Sequence, residues 1–251
     1  MSRTVLITGA AGRIGTAFVK HLDALEGERY DLRLADLEKL DQRGIKLDVT
    51  DLSACREACK GMGTVVHLAG VASPDALFEA ILPVNVSGTY NVFRAASDAG
   101  VRRVVFASSA QTIEGYPLDV QVRTDMPVRP KNLYGVSKAF GEALAAYFAY
   151  QEGLEAVAVR IGAFEYPDQW NRMGSRDLSA WASPEDLCAL LVRCVEADLG
   201  EEPFAIAHGI SNNRFKRLDL TDTRARLGYT PKADAFSMWN VGLHDASEPA
   251  V

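Results

Sequence analysis

With 251 residues, 48% of them hydrophobic, the chain can bury one substantial core and a small appended lobe. A formal net charge of −6 with both signs interspersed argues against a nucleic-acid surface, and no apolar run approaches the ~18 residues of a membrane span. The chain enters its first strand almost at once, which predicts no secretion signal. Its four cysteines, Cys55, Cys59, Cys188 and Cys194, read as small buried hydrophobes of a reducing cytoplasm, with no histidine placed to complete a metal site.

Arg3-Thr4-Val5-Leu6-Ile7-Thr8 has the β-branched, apolar composition of a strand buried on both faces. It runs into Gly9-Ala10-Ala11-Gly12-Arg13-Ile14-Gly15, after which Phe18, Val19 and Leu22 fall at helical spacing. A strand entering a helix through glycines presents unpaired N–H groups and the positive end of the helix dipole, both suited to a pyrophosphate. Gly9 allows the turn, Gly12 lets backbone approach phosphates, and Gly15 lets the helix pack against the strand. Residues 30–36 read as a second strand ending in Asp36, where a carboxylate accepts ribose hydroxyls and repels a 2′-phosphate, favouring NAD over NADP. Arg13 and Arg33 keep NADP open.

Residues 45–49 read as a third strand, bringing Asp48 and Val49 beside an adenine, with Asp48 competing with Asp51 to cap a helix over 51–60. Residues 64–70 form a buried strand running into small residues that suit a backbone passing under a cofactor; His67 within it reads as core. A helix over 84–98 and a strand over 101–107 follow, delivering Ser108 and Ser109 at the carboxyl end, where α/β sheets bind ligands. Residues 110–132 read as a long loop, functional or mobile. A helix over 133–151 opens with Tyr134-Gly135-Val136-Ser137-Lys138, and a strand spans 154–160. A second loop over 161–180 holds Tyr166, Trp170 and Arg172. Ser183-Pro184-Glu185-Asp186 starts a helix, 203–208 is a further strand, a short helix ends at Gly228, and the last residues read as loosely held. The alternation predicts an α/β doubly wound parallel sheet of about seven strands.

Tyr134 and Lys138 are one helical turn apart and share a face. A tyrosine with a pKa of about 10 needs ~3–4 kcal/mol of phenolate stabilisation to act as a base near neutrality, and a lysine ammonium beside a positive nicotinamide ring is a source of it. Ser109 would hold the substrate oxygen while the phenolate takes its proton, the arrangement for hydride transfer from a C–OH carbon.

These stretches resemble the extended short-chain dehydrogenase/reductase family, also called the NAD-dependent epimerase/dehydratase family. The matching residues are Thr8 to Gly15, Asp36, His67-Leu68-Ala69-Gly70, Asn85-Val86 through Gly88-Thr89, Phe106-Ala107-Ser108-Ser109, Tyr134-x-x-x-Lys138, Arg160-Ile161-Gly162 and Leu227-Gly228-Tyr229-x-Pro231. The resemblance implies a Rossmann-type core over 1–160 and a small substrate-binding region over 161–251, interleaved with it. It implies Tyr134 as general base, Lys138 as ribose ligand and acidifier of the tyrosine, and Ser109 as substrate-orienting residue. NAD would be held by Gly9, Gly12, Arg13, Ile14, Gly15, Asp36, Leu37, Asp48, Val49, Leu68, Ala69, Gly70, Asn85 and Ile161, with Tyr134 and Lys138. Subunit contacts through the helices beginning near Val84 and Leu133 would make a homo-oligomer.

Within the family the chain is most similar to the uronate dehydrogenases, through Leu133 to Glu142, Val159-Arg160-Ile161-Gly162 and Asn171-Arg172-Met173. That likeness implies oxidation of the anomeric carbon of a hexuronate or related, anionic sugar, with Ser73 and Arg172 contacting it. A guanidinium fork suits a carboxylate or phosphate. Where those enzymes follow the catalytic serine with asparagine and histidine, this chain has Ala110 and Gln111. The substituted pair leaves open another aldose, a sugar phosphate or a different acid. The competing readings are a nucleotide-sugar epimerase or dehydratase with retained NAD, or a non-catalytic dinucleotide sensor. The first would call for an acidic pair near the serine and a larger C-terminal lobe, and sensors on this fold commonly lack the tyrosine.

Overall fold

The computed structural model describes residues 3–25, 29–38, 40, 42–168 and 174–241. β1 (Arg3–Thr8) leads through the glycine turn into α1 (Arg13–Asp23), followed by β2 (Tyr30–Asp36), β3 (Gly44–Lys46), α2 (Leu52–Cys59) and β4 (Thr64–His67). Then come α3 (Phe78–Ile81), a π-helical stretch (Leu82–Gly88), α4 (Thr89–Asp98), β5 (Arg103–Ser109) and a 3₁₀ turn (Ala110–Thr112). The second half contributes α5 (Leu133–Glu152), β6 (Glu155–Ile161), β7 (Ala163–Phe164), α6 (Ser175–Ala180), β8 (Trp181–Ala182) and α7 (Pro184–Glu196). β9 (Phe204–Gly209), α8 (Thr221–Leu227) and α9 (Ala235–Met238) complete it.

Seven strands form one parallel sheet in the order β3-β2-β1-β4-β5-β6-β9. Strand side chains alternate between its faces. Val5 and Ile7 join Phe18, Leu187 and Leu191 beneath α1 and α7, while Leu6 joins Phe93, Phe106 and Phe148 beneath α4 and α5. The predicted doubly wound sheet is the one observed. Strand order reverses direction at β1 and β4, so their carboxyl ends open the crevice where α/β folds bind ligands.

Several boundaries differ from the sequence reading for local reasons. The strand expected over 45–49 ends at Lys46, and Asp48 turns out of it to accept the N–H and hydroxyl of Thr50 at 2.9 and 2.7 Å. Asp51 takes the cap of α2, accepting the Ala54 N–H. The helix expected from residue 84 begins at Phe78 and widens into π geometry across Pro83, which has no N–H for a regular helical bond. Gly88 ends that stretch against Val49, 2.7 Å from where a Cβ would sit.

The described parts of the two expected loops are held down. In 110–132, Val122 is buried and bridges Leu218, and the Arg217 guanidinium donates to the carbonyls of Tyr116, Pro117 and Val120. In 161–180, β7 pairs with β8 and α6 forms between them. Ser183 caps α7 as its sequence predicts. Trp170, Arg172 and the final stretch from residue 242 lie outside the described residues.

Candidate active site

Two adjoining cavities line the carboxyl edge of the sheet. One, of about 630 Å³, is bordered by Gly9, Gly12, Asp36, Leu37, Asp48, Val49, Leu68, Ala69 and Gly70. The other, of about 490 Å³, is bordered by Gly12, Arg13, Ile14, Gly15, Ser109, Ala110, Gln111, Tyr134, Lys138, Ile161, Glu165 and Arg176. Both fall in the usual size range of small-molecule sites.

The glycine turn fits a pyrophosphate sterically as well as electrically. Gly9 has φ of +71°, and a Cβ there would lie 2.6 Å from the Ala69 nitrogen. A Cβ on Gly15 would lie 2.3 Å from the Gly9 carbonyl oxygen, so α1 can sit this close to the turn only with glycine. No side chain caps α1 at Gly12, which leaves its first N–H groups for an anion.

Asp36 ends β2 with both carboxylate oxygens engaged by backbone. Oδ2 accepts the Ala11 N–H and Oδ1 the Leu37 N–H, each at 2.8 Å. The two arginines that kept NADP open point elsewhere: Arg33 donates to the carbonyls of Ala58 and Lys60, and Arg13 donates to Glu165 at 3.2 and 2.6 Å. Asp48 is exposed beside Val49, and the Thr50 N–H and hydroxyl hold its carboxyl below its ordinary range.

Two residues expected to contact ligands are engaged by the polypeptide itself. Asn85 is buried and faces the polypeptide: its Oδ1 accepts the Val71 N–H, and its Nδ2 donates to the Val71 carbonyl and Ser137 Oγ. It holds the chain after β4 in place beside Gly70 and Lys138: a Cβ on Gly70 would lie 3.3 Å from Asn85 Oδ1 and 3.4 Å from Lys138 Nζ. Ser73 lies between Ala72 and Pro74, which line the second cavity, and its Oγ accepts the Asp75 N–H. His67 is a core residue as read: it is fully buried, with Nδ1 and Nε2 against the hydroxyls of Thr8 and Thr89, and burial pushes its pKa down to about 3.

Ser109 is the last residue of β5, and Tyr134 and Lys138 stand on the first turns of α5. That helix starts at Asn132, whose Oδ1 accepts the Gly135 N–H. The same carboxamide donates to Gln111 Oε1, while the Gln111 N–H donates to Ser109 Oγ at 3.2 Å. The 3₁₀ turn and the helix start are thereby fixed to each other. Deeper in, Ser108 Oγ donates to Glu142, which also receives Arg160 through Nε and Nη2, both at 2.9 Å. This buried cluster pins α5 to β5 and β6.

Tyr134 is buried, and burial raises its pKa, partly offset by a hydrogen bond with Ser109. Lys138 Nζ lies 5.7 Å from the Tyr134 ring centroid and 5.0 Å from that of Phe106, and burial pulls its pKa down to about 8. In the polypeptide alone burial dominates the phenol, and the acidification expected from Lys138 together with a nicotinamide ring calls for that ring's positive charge as well.

Sequence reasoning missed Arg176 and Glu114. Arg176 opens α6 and borders the cavity, donating from Nε and Nη2 to both Glu114 oxygens and from Nη1 to Asp177. Arg172, chosen from the sequence for an arginine role here, lies outside the described residues. No sequence signal joins residues 114 and 176; only the closeness of the turn after β5 to α6 does.

The model of the NAD dependent epimerase/dehydratase family matches residues 5–183. The chain belongs to that family. Among its relatives, the NAD-dependent glucose-6-phosphate dehydrogenase of Haloferax volcanii is 37% identical over 92% of this chain and 94% of its own length. The L-arabinose 1-dehydrogenase (NAD(P)(+)) of the same organism is 36% identical over 93% of this chain and 98% of its own. A mutant uronate dehydrogenase from Agrobacterium tumefaciens, complexed with NAD, superposes with a TM-score of 0.80 at 34% identity, over 100% of this chain and 92% of that one. No helix among the described residues is long and apolar enough to cross a membrane.

Proposed function

We propose that the chain oxidises the anomeric carbon of a hexuronate or related sugar to a lactone. The observation that carries this reading is the convergence of Ser109, Tyr134 and Lys138 on the cavity that continues from the glycine turn. NAD, when bound, supplies the hydride acceptor. The Ser109 hydroxyl orients the sugar O1, and the Tyr134 oxygen takes the O1–H proton as the C1–H bond breaks with its electron pair and C1=O forms. Lys138 binds ribose hydroxyls and faces the tyrosine ring. The glycine turn binds the pyrophosphate, Asp36 the adenosine ribose, and Asp48 and Val49 the adenine. Gln111 and Ala110 border the sugar.

Residues 1–160 act as the cofactor half, and 161–251 supply the substrate wall through Glu165 and Arg176 while lending β9 to the main sheet. Four buried free cysteines favour a reducing cytoplasm. Exposed Val136, Phe140 and Tyr147, on one stripe of α5 near exposed Tyr90 of α4, favour a homo-oligomer. The test is purified protein with NAD and a panel of aldoses, uronates and sugar phosphates, read as NADH absorbance. Stoichiometric NADH supports the dehydrogenase. NAD that co-purifies while no sugar yields NADH, with an epimerised product instead, would replace it with the epimerase.

A further inference from the structure

Among the described residues, the arginines bordering the sugar end of the cavity are already matched by carboxylates. Arg176 places Nε and Nη2 on Glu114 at 3.1 and 2.7 Å and Nη1 on Asp177 at 2.8 Å. Arg13 places both terminal nitrogens on Glu165 at 3.2 and 2.6 Å. Among the described residues of this lining that leaves Lys138, which stands at the reacting end beside Tyr134. Arg176 thus stands between two carboxylates, with the buried Arg217 guanidinium also within electrostatic reach of Glu114.

An arginine grips an anion with paired N–H donors, and here its side-on fork belongs to Glu114. A sugar carboxylate or phosphate would have to displace Glu114, whose side chain is only 11% exposed. The displaced carboxylate would be left largely buried and without its partner, which is strongly unfavourable. A hydroxyl meets no such obstacle, since it can accept a remaining guanidinium N–H and donate to a carboxylate lone pair at once.

Resting on the dehydrogenase reading above, and taking its related sugar in place of the hexuronate, we propose that Glu114 is a specificity-determining residue: by holding Arg176 it makes the pocket select an aldose that is uncharged at the end away from the reacting carbon.

The test compares matched sugars, a neutral aldose with its uronate and its terminal phosphate, on the wild-type enzyme with NAD and on Glu114→Gln. Expected for wild type is a kcat/KM for the neutral sugar about tenfold or more above both acidic ones. Glu114→Gln keeps the shape but frees the arginine's charge, so KM for the uronate should fall about tenfold while kcat/KM for the neutral sugar drops. A wild-type preference for the uronate or phosphate overturns the proposal, and so does a variant that shifts all three sugars in parallel, as a merely structural role would. Should Glu114→Gln fail to fold, Arg176→Gln decides: a KM penalty no larger for acidic than for neutral sugar supports the proposal, and a larger one overturns it. If NAD raises the melting temperature yet no sugar is oxidised, the dehydrogenase reading falls and this proposal with it. That outcome is distinct from a dehydrogenase that prefers acids.

Discussion

The Asp36 carboxylate reaches across the glycine turn to the Ala11 N–H at 2.8 Å while its other oxygen holds the Leu37 N–H at the same distance. The group that would read the ribose is therefore also part of the turn that would hold the phosphates. Its lone pairs are oriented before any ligand arrives. Asp36→Asn, which keeps the size and removes the charge, should raise KM for NAD by about tenfold and narrow the preference over NADP, since repulsion of a 2′-phosphate is lost. Initial rates with the two dinucleotides at saturating sugar check this; an unchanged ratio would mean that Asp36 serves the turn alone.

Tyr134→Phe removes the proposed base and leaves the packing of α5 almost intact. We expect kcat to fall by about 10²–10⁴-fold. NAD affinity should change little, because Lys138 and the glycine turn remain. Steady-state rates alongside a fluorescence titration of NADH separate the two; a variant with wild-type kcat would remove Tyr134 from the chemistry.

Gly15→Ala sets a methyl 2.3 Å from the Gly9 oxygen and 2.7 Å from the Ala10 Cα, both backbone neighbours that cannot swing aside. An overpacking cost of ~2–3 kcal/mol corresponds to a melting temperature lower by about 5–10 °C in a protein of this size. Stabilisation by added NAD should also be lost. Calorimetry with and without the dinucleotide measures both.

Two buried histidines set an acid limit. Burial pushes the pKa of His67 down to about 3 and that of His208 to about 4. Above the unfolded value of about 6.5, neither state binds these protons. Between about 4 and 6.5 the unfolded chain binds them and the fold does not, so stability falls as pH falls, by about 2 kcal/mol per histidine at pH 5. Urea midpoints at pH 7.5, 6 and 5 should decline accordingly, and His67→Gln should flatten part of the decline. An equal slope in that variant would place the acid sensitivity elsewhere.

The sequence by itself determined what depends on neighbours along the chain. β1 and β2 lie where composition placed them, Asp51 and Ser183 cap the helices they precede, and the glycine spacing produced the turn, because these are local steric and hydrogen-bonding choices. The positions of Ser109, Tyr134 and Lys138 were equally legible, since each sits at the end of a strand or the start of a helix that the pattern marks. Tertiary structure decided the rest. It paired Asn85 with Val71 and Ser137, and Arg33, which had kept NADP open, with the carbonyls of Ala58 and Lys60. It raised the Tyr134 pKa by burial that no spacing rule measures, and it closed Glu114 onto Arg176 from opposite halves of the chain. Partner choice for a side chain and the desolvation of a charge are set by what the folded chain brings within a few ångströms, and neither is written in the order of residues.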